Sequence, residues 1–343
     1  MTLKEIAAEV GVSPSTVSLV LNRREGVNEE TRRHVLEALE RNGYPMKKPR
    51  APGRTDPVFL VKYTAHGMIV EENQGFIAAI MDQIAQCCLT QGVELCMRVC
   101  DRDSFETVLR DIGKARALGV IVIGTELDEG RAALLRKLRH PLVVVDNSLR
   151  GQGLSTVLMA NEDIAAEAVR HLADCGFRDI GYLCSSVSIP NFQARRAGYE
   201  QALAALGCRR GLRIALTPTL ERAHGEMQAY LSTAELPRPA AFFADNDTIA
   251  IGALRAMQEA GYRIPEDVSV IGVDNIPFSA VNTPPLTTVN ISRKELGTQA
   301  MALLLLRAAD PSAPPVRIEV GGELLLRKST RTAEAPDKRE PGT

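Results

Sequence analysis

The chain has 343 residues, 45% of them apolar, and 41 Lys or Arg against 42 Asp or Glu give a formal charge of −1. That length exceeds one ordinary domain and allows a large core with a small appendage. No window approaches the roughly eighteen uninterrupted apolar residues of a membrane span, and the N-terminus lacks the charged-then-apolar layout of a signal peptide, so a cytoplasmic chain with no membrane partner is expected.

The first residues, TLKEIAAEVGVSPSTVSLVLN, read as two short helices. Thr2 and Glu5 form a capping-box pair, and Leu3, Ile6, Ala7 and Val10 make one apolar stripe. Gly11 provides a turn, Ser13 caps the second helix with Pro14 at its first position, and Val17, Val20 and Leu21 face inward. Ser15, Thr16, Ser18, Leu19 and Asn22 are left outward. A third helix, NEETRRHVLEALERNGY, closes the bundle. Two short helices around a glycine, backed by a third, define a helix-turn-helix, which inserts the start of its second helix into the major groove of DNA.

Lys47 to Pro57 holds three prolines and a glycine and marks a domain boundary. Charge changes there too: residues 1–55 hold ten Lys or Arg and seven acids, or +3, and the remainder 31 against 35, or −4. Arg41, Lys47, Lys48, Arg50 and Arg54 follow one another with no acid between them, a run suited to a polyphosphate or to a solvated linker.

Beyond the linker, apolar runs such as FLVKY, GVIVIG and LVVVD alternate with amphipathic stretches, and after Leu154 the pattern begins again with IGYLC, RIALT, AAFFA and VSVIGVD. Such alternation predicts parallel strands buried on both faces by crossover helices, in two similar α/β lobes. Ligands bind such lobes at the carboxyl ends of the strands, so two facing lobes share a cleft. The polar residues after each strand are therefore candidates: His66, Asp146, Asn147, Asn246, Asp247, Asp274 and Asn275. Residues 332–343 read as a disordered tail, without the leucine heptads of a tetramerising coiled coil.

Through IAxxxGVSxxTVSxVLN followed by VxEETRxxVLxAxxxxGY, the N-terminus resembles the LacI/GalR family of repressors. The resemblance implies that Thr16, Ser18 and Asn22 touch phosphates or base edges, that Thr2 and Thr31 contact the backbone, and that Pro14 and Ser15, beside Ser13, sit where the family reads bases. Leu19 stands where many relatives carry a guanine-reading arginine and offers only an apolar contact, such as one to a thymine methyl. The segment YPMKKPRAPGR stands where relatives carry a hinge helix, and its prolines disfavour one, so Lys47, Lys48, Arg50 and Arg54 are expected to meet phosphates or minor-groove walls instead.

Later segments resemble the family's periplasmic-binding-protein-like core: EAVRHLADCGFRDIGYL, ARRAGYEQAL, ADNDTIAIGALRAMQEAGYRIPEDVSVIGVDN, TPPLTTV and LLLRKST. Arg195, of RxxGY, would reach a ligand hydroxyl or carboxylate with its rigid fork of donors. Asn246 and Asp274 would bond the effector from other strand ends, Gln74 and Phe76 would face it from the first lobe, and Asp146, Met159 and Asn191 are fainter candidates. The expected organisation is a helix-turn-helix domain at 1–46, a hinge at 47–57 and a two-lobed sensor at 58–331. Its first lobe covers about 58–156 and 292–319, its second 157–289 and 320–331. As function, the resemblance implies a homodimeric repressor of a carbohydrate or metabolite operon, binding double-stranded operator DNA and a small effector, a sugar being the commonest choice.

A solute-binding protein of the same core would carry a signal peptide and lack the first fifty residues. A sugar- or nucleotide-acting enzyme is the other alternative, but GxGxxG, GxxxxGK, GxSxG and HExxH are all missing. The five histidines are scattered and the seven cysteines form no CxxC, so no catalytic residue, metal or cofactor is expected.

Overall fold

In the computed structural model of the chain, residues 3–13, 16–17, 20, 27–41, 56–71, 73 and 75–332 are described. The chain divides into two compact units, Met1–Thr55 and Asp56–Thr343. In the first, helix α1 (Leu3–Val10) and helix α2 (Glu29–Arg41) enclose a small core of Ile6, Ala7, Val17, Val20, Val35, Ala38 and Leu39. Gly11 takes φ 70°, which turns the chain out of α1.

The larger unit begins with β1 (Val58–Tyr63), α3 (Phe76–Thr90), β2 (Leu95–Cys100), α4 (Phe105–Lys114), β3 (Gly119–Ile123), α5 (Glu129–Leu135), β4 (Leu142–Val145) and β5 (Ser155–Met159). The chain then passes to α6 (Asn161–Asp174), β6 (Asp179–Ser185), α7 (Pro190–Ala205), β7 (Arg209–Leu216), α8 (Leu220–Leu231), β8 (Ala240–Ala244), α9 (Asp247–Glu259), β9 (Val268–Asp274), α10 (Pro277–Val281) and β10 (Thr287–Ile291). It ends with α11 (Arg293–Ala309), β11 (Arg317–Val320) and β12 (Gly322–Leu325).

Two six-stranded sheets result, in the orders β11-β5-β4-β3-β1-β2 and β12-β10-β9-β8-β6-β7, parallel throughout except where β12 runs against β10. The apolar strands are continuous because both faces are covered: Val58 and Leu60 of β1 join one core, Phe59, Val61 and Tyr63 the other. The chain crosses between lobes after β5, after β10 and between β11 and β12. β5 stays in the first sheet through Met159, past the 156–157 boundary expected from the sequence, because it pairs with both β4 and β11.

Helix α8 starts at Leu220, where the Thr219 hydroxyl accepts the Arg222 N–H and caps it. In the second lobe α7 lies so close to α6 that a methyl at Gly198 would run into the Glu162 carbonyl. The corresponding contact in the first lobe is looser: a methyl at Gly297 of α11 would lie 2.8 Å from the Gln83 side chain and 2.9 Å from the Ile80 carbonyl of α3.

Candidate effector cleft and DNA-binding helices

The carboxyl ends of both sheets face one another. From the first lobe come Asn73 and Phe76 beyond β1, Thr125 after β3, Asp146 after β4 and Met159 at the end of β5. The second supplies Asn191, Phe192 and Arg195 on α7, Asn246 after β8 and Asp274 at the end of β9. Asp146 and Asp274 hold equivalent strand-end places in left-handed backbone, with φ 66° and 109°. Such strain in non-glycine residues persists where the surroundings enforce it, and it concentrates at functional sites.

At the centre is Arg195, whose side chain is 2% exposed. Its Nε donates to Asn161 Oδ1 at 2.9 Å, one terminal nitrogen donates to the Asp245 carbonyl, and the other lies 3.3 Å from Asp274 Oδ1. The bonds that join the lobes here centre on Asp146 and Asp274. Asn191 Nδ2 donates to Asp146 Oδ1 at 2.8 Å, while Thr125 donates to Asp146 Oδ2 at 2.6 Å from the first lobe's own side. Asn73 Nδ2 donates to Asp274 Oδ2 at 3.1 Å. The void among these side chains is about 10 Å³, room for about one water. Adjoining it is a chamber of about 810 Å³ lined from both lobes by His66, Asp128, Asn147, Arg150, Ser188 and Gln193 among others, a size that suits a small metabolite. Beside its mouth Arg150 of the first lobe meets Glu162 of the second at 2.7 Å.

Asp146, Asp245 and Asp274 are buried around this one fully buried guanidinium, and Asp247 is buried close to Asp274. Burial pushes Asp146 up to about 6, against the pull of the Thr125 hydroxyl and Arg195, and pushes Asp245 to about 6 as well. Asp247 rises to about 8, first through burial and then through the neighbouring charge of Asp274. Asp274 itself is raised by burial, with Arg195 opposing. These carboxyls therefore keep their protons to higher pH than ordinary aspartates do.

Every effector candidate among the described residues, namely Phe76, Asp146, Met159, Asn191, Arg195, Asn246 and Asp274, lines the void of about 10 Å³ rather than the larger chamber; Gln74 lies outside the described residues. Asn246 also caps α9, its Oδ1 accepting the Ile249 N–H at 2.9 Å. Sequence reasoning missed Asn73, Thr125, Asn161 and Asp245, and also Glu126. Burial would raise the Glu126 carboxyl, but N–H bonds from Ala65, His66, Gly67, Ile69 and Val70 outweigh it and hold the group ionised, fixing the loop that leads to Asn73. His66 Nδ1 lies 3.2 Å from the same carboxylate.

In the small unit, the Ser13 hydroxyl accepts the Thr16 N–H at 3.1 Å and bonds the Thr16 hydroxyl at 2.8 Å, so it secures the start of the second helix. Thr31 sits in the first turn of α2, its N–H held by Asn28 Oδ1 at 2.7 Å. The candidates Thr2, Pro14, Ser15, Ser18, Leu19, Asn22, Lys47, Lys48, Arg50 and Arg54, and the tail from 333, lie outside the described residues. Among the described residues no group of His, Cys, Asp or Glu could hold a metal, and no helix is long and apolar enough to cross a membrane.

A helix-turn-helix unit joined to a two-lobed α/β domain with a polar interlobe cleft is the architecture of ligand-controlled DNA-binding regulators. Residues 2–45 match the model for bacterial regulatory proteins of the lacI family, and residues 169–330 that for periplasmic binding protein-like domains. The chain is 32% identical over 334 residues to the HTH-type transcriptional repressor PurR of Mannheimia succiniciproducens, covering 96% of this chain and 98% of the relative. It is 32% identical over 348 residues to the PurR repressor of Haemophilus influenzae strain PittEE, covering 96% and 99%. Its fold is similar to the lac repressor dimer bound to operator and the anti-inducer ONPF (TM-score 0.72, 23% identity, 96% of this chain and 99% of that one). It is also similar to the regulator CelR in complex with cellobiose (TM-score 0.70, 24% identity, 96% and 99%). The chain belongs to the lacI family of bacterial regulatory proteins, a family of transcriptional regulators, and the solute-binding and enzyme alternatives fall away.

Proposed function

We propose that the protein is a homodimeric repressor that holds a pseudo-palindromic operator and is switched by a small polar metabolite seated between its two lobes. The observation that carries this reading is the convergence of Asp146, Asn191, Arg195 and Asp274 on one buried point where the lobes bond to each other. An entering ligand has to exchange the Asn191–Asp146 and Asn73–Asp274 bonds for its own, and so changes the balance between lobe arrangements. It can do so only by its differential affinity for them. The carboxyl and amide groups favour a hydrogen-bonding effector, and a sugar or sugar derivative, the class taken by the cellobiose-bound relative, fits that demand. Phe76 offers an apolar face for a ring, and Met159, Asn246 and Gln74 complete the shell.

On DNA, Thr16, Ser18 and Asn22 meet phosphates and base edges, Pro14, Ser15 and Leu19 face bases, and Thr2, Thr31, Lys47, Lys48 and Arg50 hold the backbone. Pairing of two chains is supported by exposed apolar residues: Met97 and Val99 on one face of edge strand β2, 54% and 60% exposed, and Val281 on α10, 75% exposed. The test is a thermal-shift panel of sugars, sugar phosphates and nucleobases, repeated with Asp274→Asn. A hit that raises the melting temperature of wild type but not of the variant supports the cleft as the effector site; a hit that stabilises both equally contradicts it.

A further inference from the structure

We infer that the end of the first lobe at which its strands begin is a second DNA-binding surface, gripping the phosphate backbone that flanks the operator; the inference rests on the DNA-binding reading above. Strands β1, β3 and β4 are parallel neighbours, so the loops leading into them share one end of the sheet. Leu118 N–H donates to the Pro57 carbonyl at 3.0 Å, Val120 N–H to the Pro141 carbonyl at 2.8 Å, and the His140 ring bonds the Ala115 carbonyl at 3.0 Å. Those bonds tie the loop before β3 and the loop before β4 to the point where the chain arrives from the linker.

The end of α4 and the two loops carry Lys114, Arg116, Arg136, Lys137 and Arg139, all exposed, and none of the five side chains forms an ion pair or hydrogen bond with another described residue. Several exposed arginines elsewhere on the same domain are matched to acids, as in Arg196–Glu200, Arg209–Asp179, Arg255–Glu259 and Arg263–Asp267, while unmatched ones such as Arg98, Arg110 and Arg170 are not grouped in sequence as these five are. Acids stand near the cluster, Asp111 on α4, Asp56 beside Pro57 and Asp128 at the start of α5, but none pairs with the five: Asp128 is taken by Arg131, and Asp310 accepts from the Ser312 N–H and hydroxyl. A cavity of about 320 Å³ beside them is lined by Arg136, Arg139, His140 and Arg307, and His140 Nδ1 is buried there without a partner. Residues 56–343 hold 31 Lys or Arg against 35 acids, so five unmatched cations at one end are a local concentration in an acidic domain.

Charge of this kind complements a row of phosphates. The tether permits the contact: residues 42–55, fourteen in number, span at most roughly 50 Å, about one and a half turns of duplex at ~34 Å per turn. That length sets how much flanking duplex a test of the contact has to include. No base would be read, so the gain is in affinity and salt dependence, with log K falling by about 0.9 per log unit of salt for each phosphate neutralised.

The test uses the full-length protein and a duplex selected by it from a randomised pool, prepared as the bare site and with about 15 base pairs added to each side, roughly one and a half turns. Anisotropy titrations over a range of KCl give the salt slope for wild type, for the triple variant R116A/R136A/R139A and for R116K/R136K/R139K. Wild type should show a slope steeper by about 1–3 on the long duplex, one to three phosphates' worth. The alanine variant should match wild type on the bare site and lose the added slope, and the lysine variant should keep it, since a point charge suffices for a phosphate. An alanine variant that keeps the added slope, a wild type indifferent to length, or an equal loss on both duplexes overturns the inference. Failure of the wild type to select any sequence removes the DNA-binding reading and this surface with it.

Discussion

The two lobes share a strand order but contribute to the cleft unequally. Each presents a strand-end aspartate in left-handed backbone, Asp146 in the first and Asp274 in the second. The second lobe adds the only fully buried cation among the described cleft residues, Arg195, and two further buried carboxylates, Asp245 and Asp247. The first answers with neutral donors, Asn73 and Thr125, an apolar pair, Phe76 and Met159, and a loop held by one buried carboxylate, Glu126. The second lobe is thus a charged, internally satisfied platform, and the first supplies the side chains that exchange partners when a ligand arrives.

The largest effect expected from breaking that asymmetry is at Arg195. Arg195→Ala leaves Asp274 without its ion-pair partner and removes the cation that Asp146 and Asp245 also feel, and should cost about 3–5 kcal/mol, read as a lowered urea midpoint; an unchanged midpoint would mean that the platform does not depend on the guanidinium. Next comes helix packing. Gly198→Ala forces backbone against backbone and should destabilise by about 1–3 kcal/mol, while Gly297→Ala in the first lobe, where part of the contact is the movable Gln83 side chain, should cost less. The reverse order in thermal melts contradicts the difference in helix spacing.

Glu126→Gln replaces one of the two acceptor oxygens with a donor against a row of N–H groups. It should cost about 1–3 kcal/mol and weaken effector binding through the loosened Asn73 loop; isothermal titration that finds the affinity unchanged separates the loop from the site. A smaller effect concerns pH. Asp146, Asp245 and Asp247 bind protons more tightly folded than unfolded, so the stability these three contribute is full below the ordinary carboxylate range and is lost as pH rises, levelling off above about 8. Asp247→Asn should flatten the upper part of that decline in urea titrations between pH 6 and pH 8, since the Thr288 hydroxyl can turn to accept from the new amide; a profile as steep as wild type places the proton elsewhere.

Much of this architecture is legible from residue order. The apolar runs of β1, β3, β4, β6, β8 and β9 stand out because both faces are buried, and Asp146, Asn246 and Asp274 follow from the rule that ligands meet strand carboxyl ends. β5, β10, β11 and β12 are harder to see: Ser155, Thr156, Thr287, Thr288, Arg317 and Glu319 interrupt any apolar run, and these strands owe their place to partners far away in sequence. Asn73, Thr125 and Asn161 were hidden for a related reason. A single polar residue in a loop or at a helix start has no periodicity, and its role appears only when the other lobe is set against it. Glu126 is the extreme case, because five backbone N–H groups from a loop some sixty residues earlier define its function and no side-chain motif encodes them.

The central claim is that a ligand between the lobes controls DNA binding through the Asp274 and Asp146 bonds. The most direct measurement is the affinity of the full-length protein for its selected duplex with and without the effector found by thermal shift, for wild type and for Asp274→Asn. The account predicts an effector-dependent change of about 5–150-fold in wild type that shrinks to near unity in the variant. An equal change in both proteins would place control outside this cleft.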